Sequence, residues 1–355
     1  RNRFAKWAAL GTALATPALL VALGIYRPAY LKFLMASVPA LAPALALPLS
    51  IPEAPGPRNE PILRWGRMGL GVMLLAVGVL PVQIRALDHL YTDPTYQRDD
   101  YRGIAAQIEA ESRPGDAILL IAPNQWEVFT YYYQGEIPVY PGPYRPAESE
   151  AATWVAEIVD SHERLFVLYW GDRESDPRRI LERALANQAY KAEERWVTSV
   201  RVARYGTGPQ SETPRMPLGL PFGEGLILEG ATVPKHAVEP GAIVPLTLFW
   251  QTDPEGPSPN QRLKVFVHVL DAEGQLVAQA DMEPVGGLYP TDRWASGARV
   301  IDRHGVSLPL DVNAGTYTLI TGLYDFSGER LTATQTDGTS TDHATLGTLT
   351  IALPQ

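Results

Sequence analysis

The chain has 355 residues, a net charge of -9, 32 prolines, 30 glycines and no cysteine. The acidic balance excludes the basic footprint of a nucleic-acid binder, and the missing cysteine excludes disulfides and thiolate metal sites. The averages conceal an asymmetry: residues 1–84 are strongly apolar, whereas the remainder has the composition of an ordinary acidic globular protein.

Three apolar runs open the chain. Residues 7–26 carry no charge and are flanked by Arg1, Arg3 and Lys6 before and Arg27 after, with Trp7 and Tyr26 placed as interfacial aromatics. Residues 33–51 are uncharged and hold Pro39, Pro43 and Pro48, which a span tolerates when neighbouring helices satisfy the freed carbonyls. Residues 65–84 carry no charge after Arg67. Each approaches the length of a bilayer-crossing helix, so three transmembrane helices are expected within 1–86. Basic residues favour the N-terminus and the 52–61 loop on the cytoplasmic side, with everything after the third run extracytoplasmic. The expected location is therefore the cytoplasmic (inner) membrane, multi-pass. The chain starts with Arg1 rather than Met, as a processed chain or the C-terminal piece of a longer one would. Arg27, Tyr30 and Lys32 would lie at the outer mouth of the bundle. There they are candidates to hold a lipid phosphate, and interfacial snorkelling is the rival use.

Residues 87–206 alternate helix and strand signals. Asp99 or Asp100 caps a helix with Ile104, Ala105 and Ile108 on one face; 117–122 and 165–170 read as buried parallel strands; 148–160 and 177–187 read as helices. A small α/β domain with a parallel sheet follows. Segment 196–205 is expected to close it as an edge strand. Glu127, Asp172 and Glu174 follow strand ends, where crevices form. No phosphate loop or dinucleotide fingerprint accompanies them, so they read as solvated loop residues, and no cofactor is implied. The aromatic run around Tyr131 reads first as packing.

Residues 207–221 are rich in Pro, Gly and Ser and read as a linker; 222–355 carry seven strand signals at the spacing of an all-β sandwich domain. His268 and His304 lack metal-ligand spacing. Trp250, Tyr289, Trp294 and Tyr324 are the aromatic candidates for a sugar-binding face, with core packing the commoner use; Tyr289 and Trp294 are the pair singled out.

Several short motifs together carry a resemblance. RPAYLKFL at 27–34, the proline-rich run and the run after it resemble the end of the membrane domain of polyprenyl-phosphate-sugar-dependent glycosyltransferases, of the protein-mannosyltransferase and aminoarabinose-transferase type. DDYRGIA at 99–105, PGDA at 114–117 and APNQW at 122–126 resemble the extracytoplasmic domain that follows in bacterial members. GLYPTDRW at 287–294, DRH at 302–304 and GLYD at 322–325 resemble a β domain appended there. The resemblance implies the C-terminal portion of a membrane glycosyltransferase with its catalytic loop outside this chain. Arg27 and Tyr30 would contact the carrier-lipid phosphate, and the partners would be a polyprenyl-phosphate sugar, membrane lipid, and a glycan or protein acceptor. The alternative expectation is a non-catalytic, membrane-anchored module that binds glycan or protein in a surface assembly.

Overall fold

The computed structural model describes residues 99–334 and 338–353, with a few isolated positions before residue 99. Its backbone contacts group Arg98–Gln355 as one unit. Helix α1 (Tyr101–Glu111) starts on Asp100, whose carboxylate accepts from the Gly103 N–H at 2.8 Å, as the sequence predicts. Strands β1 (Asp116–Leu120), β2 (Val139–Pro141) and β3 (Arg164–Tyr169) pair in parallel in the order β2-β1-β3. β1 is buried along its whole length because both faces are covered. Helices α1 and α2 (Trp126–Tyr132) pack on Ile118, Leu120 and Phe166. Helices α3 (Glu148–Val159) and α5 (Ile180–Gln188) pack on Leu119 and Val167; a single turn, α4 (Asp172–Ser175), precedes α5.

The closing segment differs from expectation. It is a hairpin, β4 (Tyr190–Val197) and β5 (Val200–Gly206), and β5 pairs antiparallel with β3. Neither strand is an edge, because β4 meets β11 (Arg299–Ser307) in parallel at His304 and Lys191. The sheet runs on through β8 (Ile243–Thr252), β7 (Leu226–Thr232) and β6 (Met216–Phe222) to two short strands, β13 (Ala333–Thr334) and β14 (Ser340–Thr341), giving eleven strands. A second sheet, in the order β10-β9-β12-β15, comprises β9 (Lys264–Leu270), β10 (Leu276–Met282), β12 (Gly315–Tyr324) and β15 (Ala344–Ile351). Trp250, Leu248, Val265, Val267, Leu319 and Leu346 fill the core between the two sheets.

The expected fold class is therefore corrected. A separate α/β domain and a separate sandwich do not sit on independent sheets, because one sheet serves both. The expected 207–221 linker contains most of β6. Pro217 and Pro221 disguise it: β6 pairs with β7 across a register shift between Pro217 and Leu220, with Gly219 at φ 62, and bulges are where proline enters strands. The expectation of transmembrane helices and a multi-pass inner-membrane location is corrected as well. Among the described residues no helix is long and apolar enough to cross a membrane, and the described chain is dominated by sheet. The runs 7–26, 33–51 and 65–84 lie outside the described residues.

A buried ionic network ties α5 to β3 and β5. Arg201 grips Glu182 with two bonds, 2.7 and 3.1 Å, and Arg179 adds a third at 2.7 Å. The Arg201 guanidinium stacks 3.9 Å from the Tyr169 ring centre, and the Tyr169 and Tyr205 hydroxyls meet at 2.9 Å. Burial works to raise the Glu182 carboxyl, but the hydrogen bonds from Arg201 and Arg179 prevail and hold it at about 2. Burial drives both phenols above their ordinary range.

This network makes part of the stability acid-sensitive. Glu182 titrates near 4.5 when free and about 2 when folded, so its contribution is intact above 4.5 and fades as pH falls toward 2. Urea denaturation should show Glu182→Gln destabilised by about 3 kcal/mol at neutral pH, because Arg201 loses its buried partner. The difference from the parent should shrink below pH 4.

Candidate functional site

Period-two alternation gives β9 two unlike faces. Val265, Val267 and Val269 enter the core, and Lys264, Phe266 and His268 point outward. Register carries that division to the neighbouring strands. Tyr324, Gly322 and Ile320 of β12 stand opposite those three residues, and Asp281 and Gln279 of β10 flank Phe266 and His268. The outer face of the four-stranded sheet thus gathers aromatic, acidic, amide and basic side chains where packing requires none of them.

Gly322 shapes the centre. The Phe266 ring lies across it, and a Cβ there would sit 2.5 Å from a ring atom. Phe266 also packs 4.7 Å from the His268 ring and 6.3 Å from Tyr324, centre to centre. Arg330 folds over from the next turn with its guanidinium carbon 4.4 Å above Phe266, and Asp342 holds it by a 2.7 Å hydrogen bond. Asp342 also meets His343 Nδ1 at 2.7 Å. Phe266 is consequently the buried base of the face, and the layers above it are polar.

Beside this stack, two rings remain available. Tyr324 donates to Asp281 Oδ2 at 3.3 Å, and burial together with the Asp281 charge pushes its phenol up to about 12. Phe326 is 62% exposed. It rides on a turn fixed by Asp325, whose Oδ1 accepts from the Ser327 N–H, the Ser327 hydroxyl and the Glu329 N–H. Lys264 Nζ lies 5.3 Å from the Phe326 ring centre and 5.9 Å from Tyr324. Arg262, also near Phe326, is neutralised by a two-bond pair with Glu283. His268 Nε2 lies 3.3 Å from Asp281 Oδ1 yet has no hydrogen-bond partner among the described residues.

The residues singled out from sequence fall elsewhere. Trp294 is a correction: it is 1% exposed, sits in the sandwich core, and donates its indole N–H to the Tyr289 carbonyl at 3.0 Å. Tyr289 packs partly buried against the same core. Trp294 offers no open ring. Trp250 is also core, and Tyr324 alone of the four aromatics reaches the outer face. Glu127 is exposed on α2, and exposed Glu174 and half-buried Asp172 share the α4 turn, all in the α/β half. In the aromatic run, Phe129 and Tyr133 are packed and Tyr131 is 75% exposed. Arg27, Tyr30 and Lys32 lie outside the described residues. Phe326, Asp281 and Arg330 escaped the sequence reading, although KVFVHVL at 264–270 contained the clue: an aromatic on the strand face opposite three valines. Among the described residues, no group of three His, Asp or Glu side chains is placed to hold a metal ion.

No protein-family model matches the chain, and no curated protein does. Among solved structures, it is similar to the C-terminal domain of wzt at 13% identity and a TM-score of 0.28, covering 40% of this chain and 84% of that one. It is also similar to the Bifidobacterium dentium beta-glucuronidase complexed with coumarin-3-O-glucuronide, at 15% identity and a TM-score of 0.19, covering 44% of this chain and 21% of that one. Scores this low carry nothing about fold or function here.

The placement of Trp294 predicts a stability effect. Trp294→Ala should cost about 3–5 kcal/mol in denaturant unfolding, as for other buried large-to-small changes. Phe326→Ala, exposed on its turn, should stay within about 0.5 kcal/mol of the parent.

Proposed function

We propose that Arg98–Gln355 is a glycan-binding module whose contact surface is the outer face of the four-stranded sheet. The observation that carries this reading is the pairing of two available rings, Tyr324 and Phe326, with the carboxylate of Asp281, the amide of Gln279 and the ammonium of Lys264. A pyranose ring presents apolar C–H groups on one side and hydroxyls around its rim. Aromatic faces cover the former, and carboxylate and amide oxygens accept from the latter. The glycosyltransferase expectation is not carried forward, since its lipid-phosphate contacts lie outside the described residues.

Net charge favours neutral sugars. Arg262 and Arg330 are each paired with a carboxylate, and Asp281 remains to accept hydroxyl hydrogens. Calorimetric titration of the full chain with neutral oligosaccharides should give binding that weakens about tenfold or more in Phe326→Ala and Tyr324→Ala, the loss expected of an aromatic anchor. Tyr131→Ala, an exposed aromatic in the α/β half, should bind as the parent does. Undiminished affinity in both sheet-face variants would exclude this face. Capture of a defined protein ligand, dependent on the same two rings and with no sugar bound, would replace the glycan by a protein.

A further inference from the structure

Between β10 and β11 the chain makes a turn, Val285–Gly287, in which three consecutive residues have positive φ: Val285 at 56°, Gly286 at 63° and Gly287 at 87°. Two are glycines and adopt this region freely. Val285 is not: a β-branched residue there is strained, at about 1–3 kcal/mol, and persists only when its surroundings enforce it.

The enforcing group is buried. Asp302 and His304 of β11 are two residues apart and so share one strand face, and both are 0% exposed. Their cross-strand partners on β8 are Leu248 and Leu246, so an acid and an imidazole stand in an apolar row. Asp302 Oδ1 accepts the Val285 N–H at 2.7 Å, and Oδ2 meets His304 Nε2 at 2.7 Å. His304 Nδ1 is buried with no hydrogen-bond partner among the described residues. A buried ionisable pair in an apolar layer costs desolvation energy, so retaining one calls for a job that an apolar pair could not do.

The turn is also gripped from the other side. Lys191 Nζ donates to the Gly286 carbonyl at 3.3 Å, and Glu194 pairs with the same ammonium. Lys191 belongs to β4, and His304–Lys191 is the registered backbone pair between β4 and β11. The seam joining the two halves of the eleven-stranded sheet therefore has little ladder of its own. The turn spans it, its N–H held from β11 and its carbonyl from β4. The backbones run close beneath: a Cβ on Gly305 would lie 2.6 Å from the Tyr190 carbonyl oxygen.

We propose that the Val285–Gly287 turn is a strained clasp, held shut by the Asp302 carboxylate with His304 behind it, that fastens the sandwich to the α/β half. When it opens, the β4–β11 seam loosens locally, short of global unfolding of the shared structure. This is a conformational device within Arg98–Gln355, independent of whether the outer sheet face binds glycan.

Hydrogen–deuterium exchange on the full chain tests it. Asp302→Asn removes a charge-assisted bond to a strained N–H, and amides in 285–288 and 190–193 should exchange about tenfold faster or more, while 265–269 and 117–121 hold their rates. Glycine takes positive φ unaided, so in a Val285→Gly background the same substitution should accelerate those amides by less than about threefold. Uniform acceleration across both cores, unchanged seam amides, or an equally large effect in the Val285→Gly background would each overturn the clasp. If Asp302→Asn does not fold, His304→Gln is read against the same criteria.

Discussion

Strand β11 is the piece of chain on which the architecture depends. On one edge it pairs with β8 throughout, from Arg299 opposite Gln251 to Ser307 opposite Ile243. On the other it meets β4 at a single registered pair. That asymmetric partnership makes a parallel α/β sheet and an antiparallel sandwich one continuous structure. Each half could satisfy its own hydrophobic demand: Leu119 and Val167 have helices over them, and Trp250 has the four-stranded sheet. What the join must provide is satisfaction of two strand edges, since unpaired N–H and C=O rows in a nearly buried position are costly.

Close approach and polar fastening achieve this together. Gly206 and Gly305 both lie against Ile243, where any side chain would collide. Lys191, 8% exposed, spends its donors on Gly286 and Glu194. Arg303, facing away from His304, bonds Gln210 and Glu212 of the connecting segment. Arg164 bridges Asp116 and the Gly241 carbonyl, and Arg113 reaches the Pro240 carbonyl, so the far rim of the seam is stitched as well. Such contacts contribute little hydrophobic energy. They are directional, and they fix how two independently cored halves meet.

The parts legible in the sequence were those governed by local periodicity. Seven sandwich strands, the α1 cap at Asp100 and the helices over β1 and β3 all follow from apolar spacing and turn chemistry. The parts that were not legible depend on long-range pairing. Nothing in 190–206 announces a hairpin whose second strand is central, because the pairing of β4 with β11 spans about a hundred residues of sequence. Pro217 and Pro221 concealed β6, since a bulge tolerates prolines that a regular ladder would not. Tyr289 and Trp294 were attractive as sugar platforms by residue type, but only packing could reveal that the Trp294 indole is capped by the Tyr289 carbonyl inside the core. The outer face needed the register of three strands before Tyr324, Phe266 and Asp281 could be seen as neighbours.

One shared sheet makes Arg98–Gln355 a single cooperative structure. The direct measurement is hydrogen exchange followed by mass spectrometry across a urea titration of the full chain, comparing β1 and β3 with β9 and β12. Protection in the two sets should be lost at the same urea concentration, within error. Loss of one set while the other remains protected through a further 1 M or so of urea would show two independent domains and contradict it.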